Sequence, residues 1–215
     1  MKTNESLAEA ESNALLRRGL WIEYASLAWM TVEALGALSA GVLAGSLALL
    51  AFGGDSVIEL ASSTAVLMHL RTEDKGEGTI CKTKKAERAT LTLLFLLIPT
   101  IGLGAVYAYL TGVKPESSIL GILITIGALI VMPVLWFEKR RIGRKANCFP
   151  IEVDATESAT CFLMSVALLV GLAANFLWRL WWADYLATVA IILFLARETV
   201  ESVRSFRLER GASAF

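Results

Sequence analysis

Six apolar runs, each about as long as a bilayer is thick, divide this chain of 215 residues. A helix needs about 20 apolar residues to cross the roughly 30 Å of hydrocarbon in a membrane. The chain is 56% hydrophobic, whereas soluble domains are usually about 45–50% apolar. The runs cover residues 20–42, 46–70, 89–111, 118–137, 153–177 and 182–203. The sequence therefore predicts an all-α, multi-pass membrane protein with six transmembrane helices.

The basic residues indicate how these helices are oriented. Lys and Arg concentrate in the cytoplasmic loops of membrane proteins. When the six spans are drawn, all of the 20 basic residues except Lys114 and Arg179 fall on the side that holds both ends of the chain. We therefore expect cytoplasmic termini (N-in, C-in) in a plasma membrane or a bacterial-type inner membrane. The expected divisions are a cytoplasmic segment at 1–19, a six-helix transmembrane domain at 20–203 and a short cytoplasmic tail at 204–215.

Two carboxylates lie one turn apart inside the second apolar run. Asp55 and Glu59 have the i, i+4 spacing that places both side chains on one face of a helix. An ionised carboxylate at membrane depth costs about 2.5–3.5 kcal/mol on insertion scales, and this run has no basic residue near the pair. The pair therefore predicts a bound cation.

The fifth run carries a second set of donors on one face, Asp154, Glu157 and Cys161. A helix rises about 1.5 Å per residue. At this rise, the pair Asp55 and Glu59 and the pair Glu157 and Cys161 overlap slightly in depth on the inner side of the bilayer midplane. Oxygen and sulfur donors on two helices predict a divalent-metal site made by Asp55, Glu59, Glu157 and Cys161. Carboxylate with thiolate suits Zn²⁺, whereas Mg²⁺ and Ca²⁺ prefer oxygen alone. Cys161 could instead be a small buried residue that only packs.

Three further acidic residues and two glycines allow two interpretations each. Glu33 falls near the depth of Asp55, and Glu23 lies closer to the inner interface. Glu33, Glu23 and Asp154 could support the metal site or relay protons, or the first two could be protonated residues that join helices. Gly53 and Gly54 indicate either ordinary close helix packing or an approach of another backbone, or of the ion path, to Asp55.

With these residues in view, the chain resembles the cation diffusion facilitator superfamily of divalent-metal transporters over about residues 20–203. The stretch from Ser46 to Ala51 followed by Asp55-Ser56-x-x-Glu59 is similar to the family's second-helix pattern, in which an acidic or His residue and an Asp four apart bind metal. Glu157 and Cys161 match the two ligand positions of its fifth helix. Asp184 is similar to an Asp near the start of its sixth helix.

The sequence departs from the family pattern in three respects. Family members usually have His or Asp where Glu157 stands and Asp where Cys161 stands. Phe52 replaces an acidic residue that is common in the second-helix motif. Most members add a cytoplasmic metal-binding domain of roughly a hundred residues after the sixth helix, so the resemblance implies a compact branch without that domain.

The expected function is export of a divalent transition metal such as Zn²⁺ by alternating access. Metal would exchange for protons, because ligands must be deprotonated to bind it. The resemblance implies a homodimer, and we expect no further cofactor, no nucleic-acid partner and no enzymatic activity. A membrane metal sensor or accessory subunit that does not transport is the alternative. An intramembrane aspartyl protease using Asp55 and Asp154 is disfavoured, since Phe52 replaces the first Gly of its Gly-x-Gly-Asp motif and Asp154 lies too near the inner surface to meet Asp55.

Overall fold

A computed structural model describes the backbone of residues 2–74, 84–146 and 149–212, and most side chains from 17 to 64, 95 to 145 and 151 to 200. The described residues form six helices and confirm the all-α prediction. Each helix contains one predicted apolar run almost completely, and several helices extend well beyond it. The helices are Lys2–Ala44 (α1), Leu47–Asp74 (α2), Lys84–Thr111 (α3), Ile119–Ala146 (α4), Phe149–Trp178 (α5) and Trp182–Ala212 (α6).

Burial follows the pattern expected for a protein that lies in lipid. Charged side chains are buried in the bundle, whereas large apolar side chains such as Leu43, Leu110 and Leu123 are exposed on its outside. Ionisable residues within membrane helices face the interior of the bundle, where they find partners. Helix α2 packs against α1, α3, α5 and α6 and so lies at the centre of the bundle.

Three of the described helical segments are long and apolar enough to cross a membrane: Arg17–Ala44, Ile119–Lys145 and Asp154–Trp178. Phe95–Thr111 is a shorter apolar helix. The basic segment around 75–83 and the side chains of 204–215 lie outside the described residues, so the six-span, N-in/C-in topology stays a prediction.

The turn between α1 and α2 sets the start of α2. Gly45 has a φ of 63°, a left-handed conformation that glycine adopts without steric cost. The Ser46 N–H donates to the Gly41 carbonyl at 3.0 Å, which closes α1 as in a Schellman motif. Ser46 then caps α2, because its Oγ accepts from the Leu49 N–H at 3.1 Å, as expected for a serine at a helix start.

Gly53 allows α1 and α2 to approach closely at mid-bundle. A Cβ atom at this position would lie 2.9 Å from the backbone nitrogen of Leu38 on α1, closer than real Cβ atoms come to backbone. Small residues permit such close contact between helices. The packing interpretation of Gly53 is therefore confirmed, and it places the acidic residues of α2 beside α1.

Candidate metal-binding site

Asp55 and Glu59 are buried carboxylates that accept no hydrogen bond from the described residues. Their exposed fractions are 1% and 2%. None of their four carboxylate oxygens has a hydrogen-bond partner among the residues that the structure describes. The groups that act on Asp55 electrostatically are Glu157 and Glu33, both acidic, and those that act on Glu59 are acidic as well. A buried charge without a partner is strongly unfavourable, so this position requires a cation or protons.

Glu33 joins α1, α2 and α5 at the same level. Its Oε1 accepts from Ser56 Oγ at 2.7 Å and from Cys161 Sγ at 3.3 Å, and its Oε2 accepts from Trp29 Nε1 at 2.7 Å. Ser56 follows Asp55 directly, so the expectation that Glu33 lies near the depth of Asp55 is confirmed. Unlike Asp55, Glu33 has a donor for each carboxylate oxygen.

The two predicted donors of α5 face this region from the other side. Glu157 Oε1 accepts from Ser62 Oγ at 3.1 Å, and its Oε2 has no hydrogen-bond partner in the described part of the chain. Cys161 is fully buried and within electrostatic range of Glu33, Glu59 and Asp55. All four predicted ligands therefore lie in one region between α2 and α5.

The side chains do not close around a common point in this conformation. Among the described residues, no group of three His, Cys, Asp or Glu side chains has the arrangement that would hold a metal ion. The Cys161 thiol is engaged with Glu33, and one Glu157 oxygen is engaged with Ser62. The ligand set from the sequence thus stays a prediction.

A second polar layer lies about one helical turn from Glu157 along α5. It contains a basic residue whose burial was not predicted from the sequence. Lys139 was expected among the loop residues of the inner side, but it lies in α4 and its side chain is fully buried. Its ammonium group forms an ion pair with Asp154 of α5 and lies 3.8 Å from Glu23 Oε2 of α1. Asp154 is therefore paired with Lys139, an arrangement unlike the aspartate dyad of a protease.

A sequence signal for this burial does exist. Lys139 stands four residues after Leu135 and three before Ile142, and both of these apolar residues are buried. Residues with this spacing share one helix face. The helical spacing therefore identifies Lys139 as part of the buried face of α4, although its charge suggested a loop.

Asp184 of α6 stabilises the start of α2. Its Oδ1 accepts from Ser46 Oγ at 2.5 Å, and its Oδ2 lies 3.5 Å from the Ala48 N–H. An acidic group at a helix N-terminus satisfies free N–H groups and interacts favourably with the helix dipole. Asp184 is thus a buried carboxylate that the fold itself supplies with donors.

The contrast between Asp55 and Asp184 predicts opposite effects of the same substitution. Asp184→Asn should lower the free energy of unfolding of the metal-free protein by about 1–2 kcal/mol, because a charged acceptor at a helix start is lost. Asp55→Asn should leave this free energy unchanged, because Asp55 accepts no hydrogen bond from the described residues. Thermal unfolding in detergent with a chelator measures both, and equal losses would contradict this account.

One comparison with known proteins identifies the family. The model of the cation efflux transmembrane domain matches residues 86–208, more than half of the chain. The match includes Glu157, Cys161 and Asp184, whereas α1 and α2 precede it. No curated protein matches the chain. Members of this family are metal-cation transporters rather than enzymes, and their domain lies in the membrane. The chain is a multi-pass membrane protein that belongs to the cation efflux, or cation diffusion facilitator, family.

Proposed function

We propose that this protein exports a divalent transition metal, Zn²⁺ or a similar ion, from the cytoplasm in exchange for protons. The observation that carries the proposal is the pair Asp55 and Glu59, whose four buried oxygens have no donor among the described residues. The same carboxylates lie within the electrostatic range of Glu157 and Cys161. A divalent cation would neutralise this region.

The donor types favour a borderline or soft ion. Carboxylates of Asp55, Glu59 and Glu157 with the thiolate of Cys161 form a set that suits tetrahedral Zn²⁺. To bind it, Cys161 would have to leave its hydrogen bond with Glu33, and Glu157 would have to turn from Ser62. Small rotations of α2 and α5 could produce such a closed site in one state of an alternating-access cycle.

Proton exchange follows from the same charges. When the metal leaves, the carboxylates of Asp55 and Glu59 remain together without a hydrogen-bond donor among the described residues, and protons are the cations that can replace it. Glu33 is suited to support Cys161 through their hydrogen bond and to take part in proton movement. Asp154 and Glu23 were expected in such a relay as well, and their ion pairs with Lys139 give them a distinct role, considered below.

The remaining parts of the proposal concern topology and assembly. The distribution of basic residues supports six spans with both termini in the cytoplasm, a cytoplasmic segment at 1–19, a transport domain at 20–203 and a tail at 204–215. The described helices are joined by short connections, as expected for antiparallel neighbours. The family resemblance supports a homodimer in a plasma or bacterial-type inner membrane.

Asp55→Ala tests the metal site. In proteoliposomes with an internal Zn²⁺ dye, the variant should transport at below about a tenth of the wild-type rate, because a loss of even ~1.4 kcal/mol of ligand binding lowers affinity tenfold. Glu116→Ala, which removes an exposed carboxylate from the α3–α4 connection, is the matched control and should transport normally. Wild-type rates in Asp55→Ala would overturn the site. Zn²⁺ binding by the wild type without any flux would indicate a sensor or accessory subunit.

Proton exchange predicts a pH change that accompanies metal movement. Adding Zn²⁺ outside proteoliposomes that carry an internal pH dye should alkalinise the lumen, because Zn²⁺ moves inward and protons move outward in exchange. Dissipating a pH gradient with an ionophore should slow gradient-driven Zn²⁺ movement severalfold. A pH trace that stays flat during verified Zn²⁺ flux would exclude antiport.

Cys161 predicts the selectivity of transport. A thiolate binds Cd²⁺ and Zn²⁺ far better than Mn²⁺, so Cys161→Asp should lower the ratio of Cd²⁺ to Mn²⁺ transport rates by about tenfold or more. Cys161→Ala removes the sulfur at similar burial and should also lower this ratio. If Cys161 only packs between helices, the ratio stays the same in all three proteins, and the thiol is then no ligand.

A further inference from the structure

The buried ammonium group of Lys139 is held by residues from two other helices, α1 and α5. It forms an ion pair with Asp154 of α5, donates to Ser26 Oγ of α1 at 2.8 Å and lies 3.8 Å from Glu23 Oε2. Asp154 also accepts from Ser63 Oγ of α2 at 2.7 Å. Together these residues define the Lys139 layer: Glu23, Ser26, Ser63, Lys139 and Asp154.

This layer is the immediate neighbour of the proposed transport site. Ser62 and Ser63 are adjacent on α2, and they donate to Glu157 and Asp154 respectively. Asp154 precedes Glu157 by three residues on α5, which corresponds to about 4.5 Å along the helix. Relative to the proposed transport site, the layer lies closer to the N-terminal ends of α1 and α5, which begin at Lys2 and Phe149. These ends are on the cytoplasmic side under the proposed topology.

Apart from the ammonium group, the layer consists of oxygen donors. The carboxylates of Asp154 and Glu23 and the hydroxyl of Ser26 face the Nζ atom, and the Ser63 hydroxyl supports Asp154 from α2. Glu23 is fully buried, and its carboxyl group lies beside that of Asp154 without an N–H or O–H donor from the other described residues. Hard divalent cations take carboxylate and other oxygen ligands of this kind. A cation other than the ammonium would therefore find ligands in the same place.

We propose that Lys139 is a tethered cation that occupies a second cation site, and that it keeps the transported metal from binding to Asp154 and Glu23. The inference rests on the proposed function, since it assigns to Lys139 the role of confining metal to the level of Asp55 and Glu59. Lys139 is thus a positioning residue, and the ligand that it displaces is a divalent cation with a preference for oxygen.

Counting Mn²⁺ on the purified full-length protein tests this role. Mn²⁺ suits the all-oxygen layer better than the thiol-containing transport site, and its electron paramagnetic resonance signal reports the free ion. The variants are Lys139→Met, the control Arg140→Met and the double variant Lys139→Met with Asp154→Asn. Arg140 is the neighbouring basic residue, and it is exposed. Each variant is also measured in an Asp55→Asn background, which removes the proposed transport site.

Lys139→Met should bind one more Mn²⁺ per chain than the wild type, and Arg140→Met should bind no more than the wild type. The double variant should lose the added ion, and the gain should persist in the Asp55→Asn background. Persistence there separates this proposal from the proposed function, because the added site does not use Asp55. A folded Lys139→Met protein with an unchanged Mn²⁺ count would overturn the proposal.

Thermal unfolding gives a second measurement for the case in which Lys139→Met is unstable. Removing one partner of a buried ion pair leaves the other charge uncompensated, and Mn²⁺ should compensate it. A ligand that binds only the folded state raises its stability, so Mn²⁺ should raise the Tm of Lys139→Met by several degrees more than that of the wild type. Equal shifts, or a variant that fails to fold even with Mn²⁺, would also overturn the proposal.

Discussion

The desolvation of carboxylates inside the helix bundle is the constraint on which this structure depends. At membrane depth each carboxylate requires a donor or a cation, and the protein supplies these unevenly. Asp184 accepts hydrogen bonds from the start of α2, and Glu33 accepts hydrogen bonds from three side chains. Asp154 pairs with an ammonium group and accepts a hydrogen bond from a hydroxyl. Asp55 and Glu59 receive no donor from the described residues. The fold thus leaves the pair at its centre to be neutralised by protons or by another cation.

Close packing of α1 on α2 makes Glu33 part of this region. Gly53 removes the side chain that would otherwise separate the two backbones, and the Gly45 turn fixes where α2 begins relative to α1. Glu33 therefore reaches Ser56 on α2 and Cys161 on α5 from a third helix. The region accordingly involves three helices, although the ligand pattern in the sequence points only to α2 and α5.

The family assignment and the local chemistry support each other from different parts of the chain. The matched range covers α3 to α6 with Glu157 and Cys161, whereas Asp55 and Glu59 precede it and are argued from burial and missing donors. The thiol of Cys161 and the carboxylate of Glu157 distinguish this chain from the usual family pattern. Under the proposed function these differences concern the choice of metal, and the helical framework does not depend on them.

The amino-acid sequence was enough to predict the six helices, the shared face of Asp55 and Glu59, and the depth of Glu33. These features depend on local properties, since apolar length and helical spacing can be read within one segment. It also permitted the packing role of Gly53, as one of two interpretations.

Which side chains contact each other depends on how the helices pack. Ser26 and Lys139 are separated by 113 positions, and Glu33 and Cys161 by 128. Such contacts depend on the rotation of each helix about its axis and on the packing of its neighbours, which no single segment encodes. For this reason Lys139 was expected in a loop but lies in the interior, and the hydrogen bond from Cys161 to Glu33 was not predicted. Helix packing also explains why two aspartates differ. Asp184 caps α2, whereas Asp55 accepts no hydrogen bond from the described residues, because their surroundings differ although their residue type is the same.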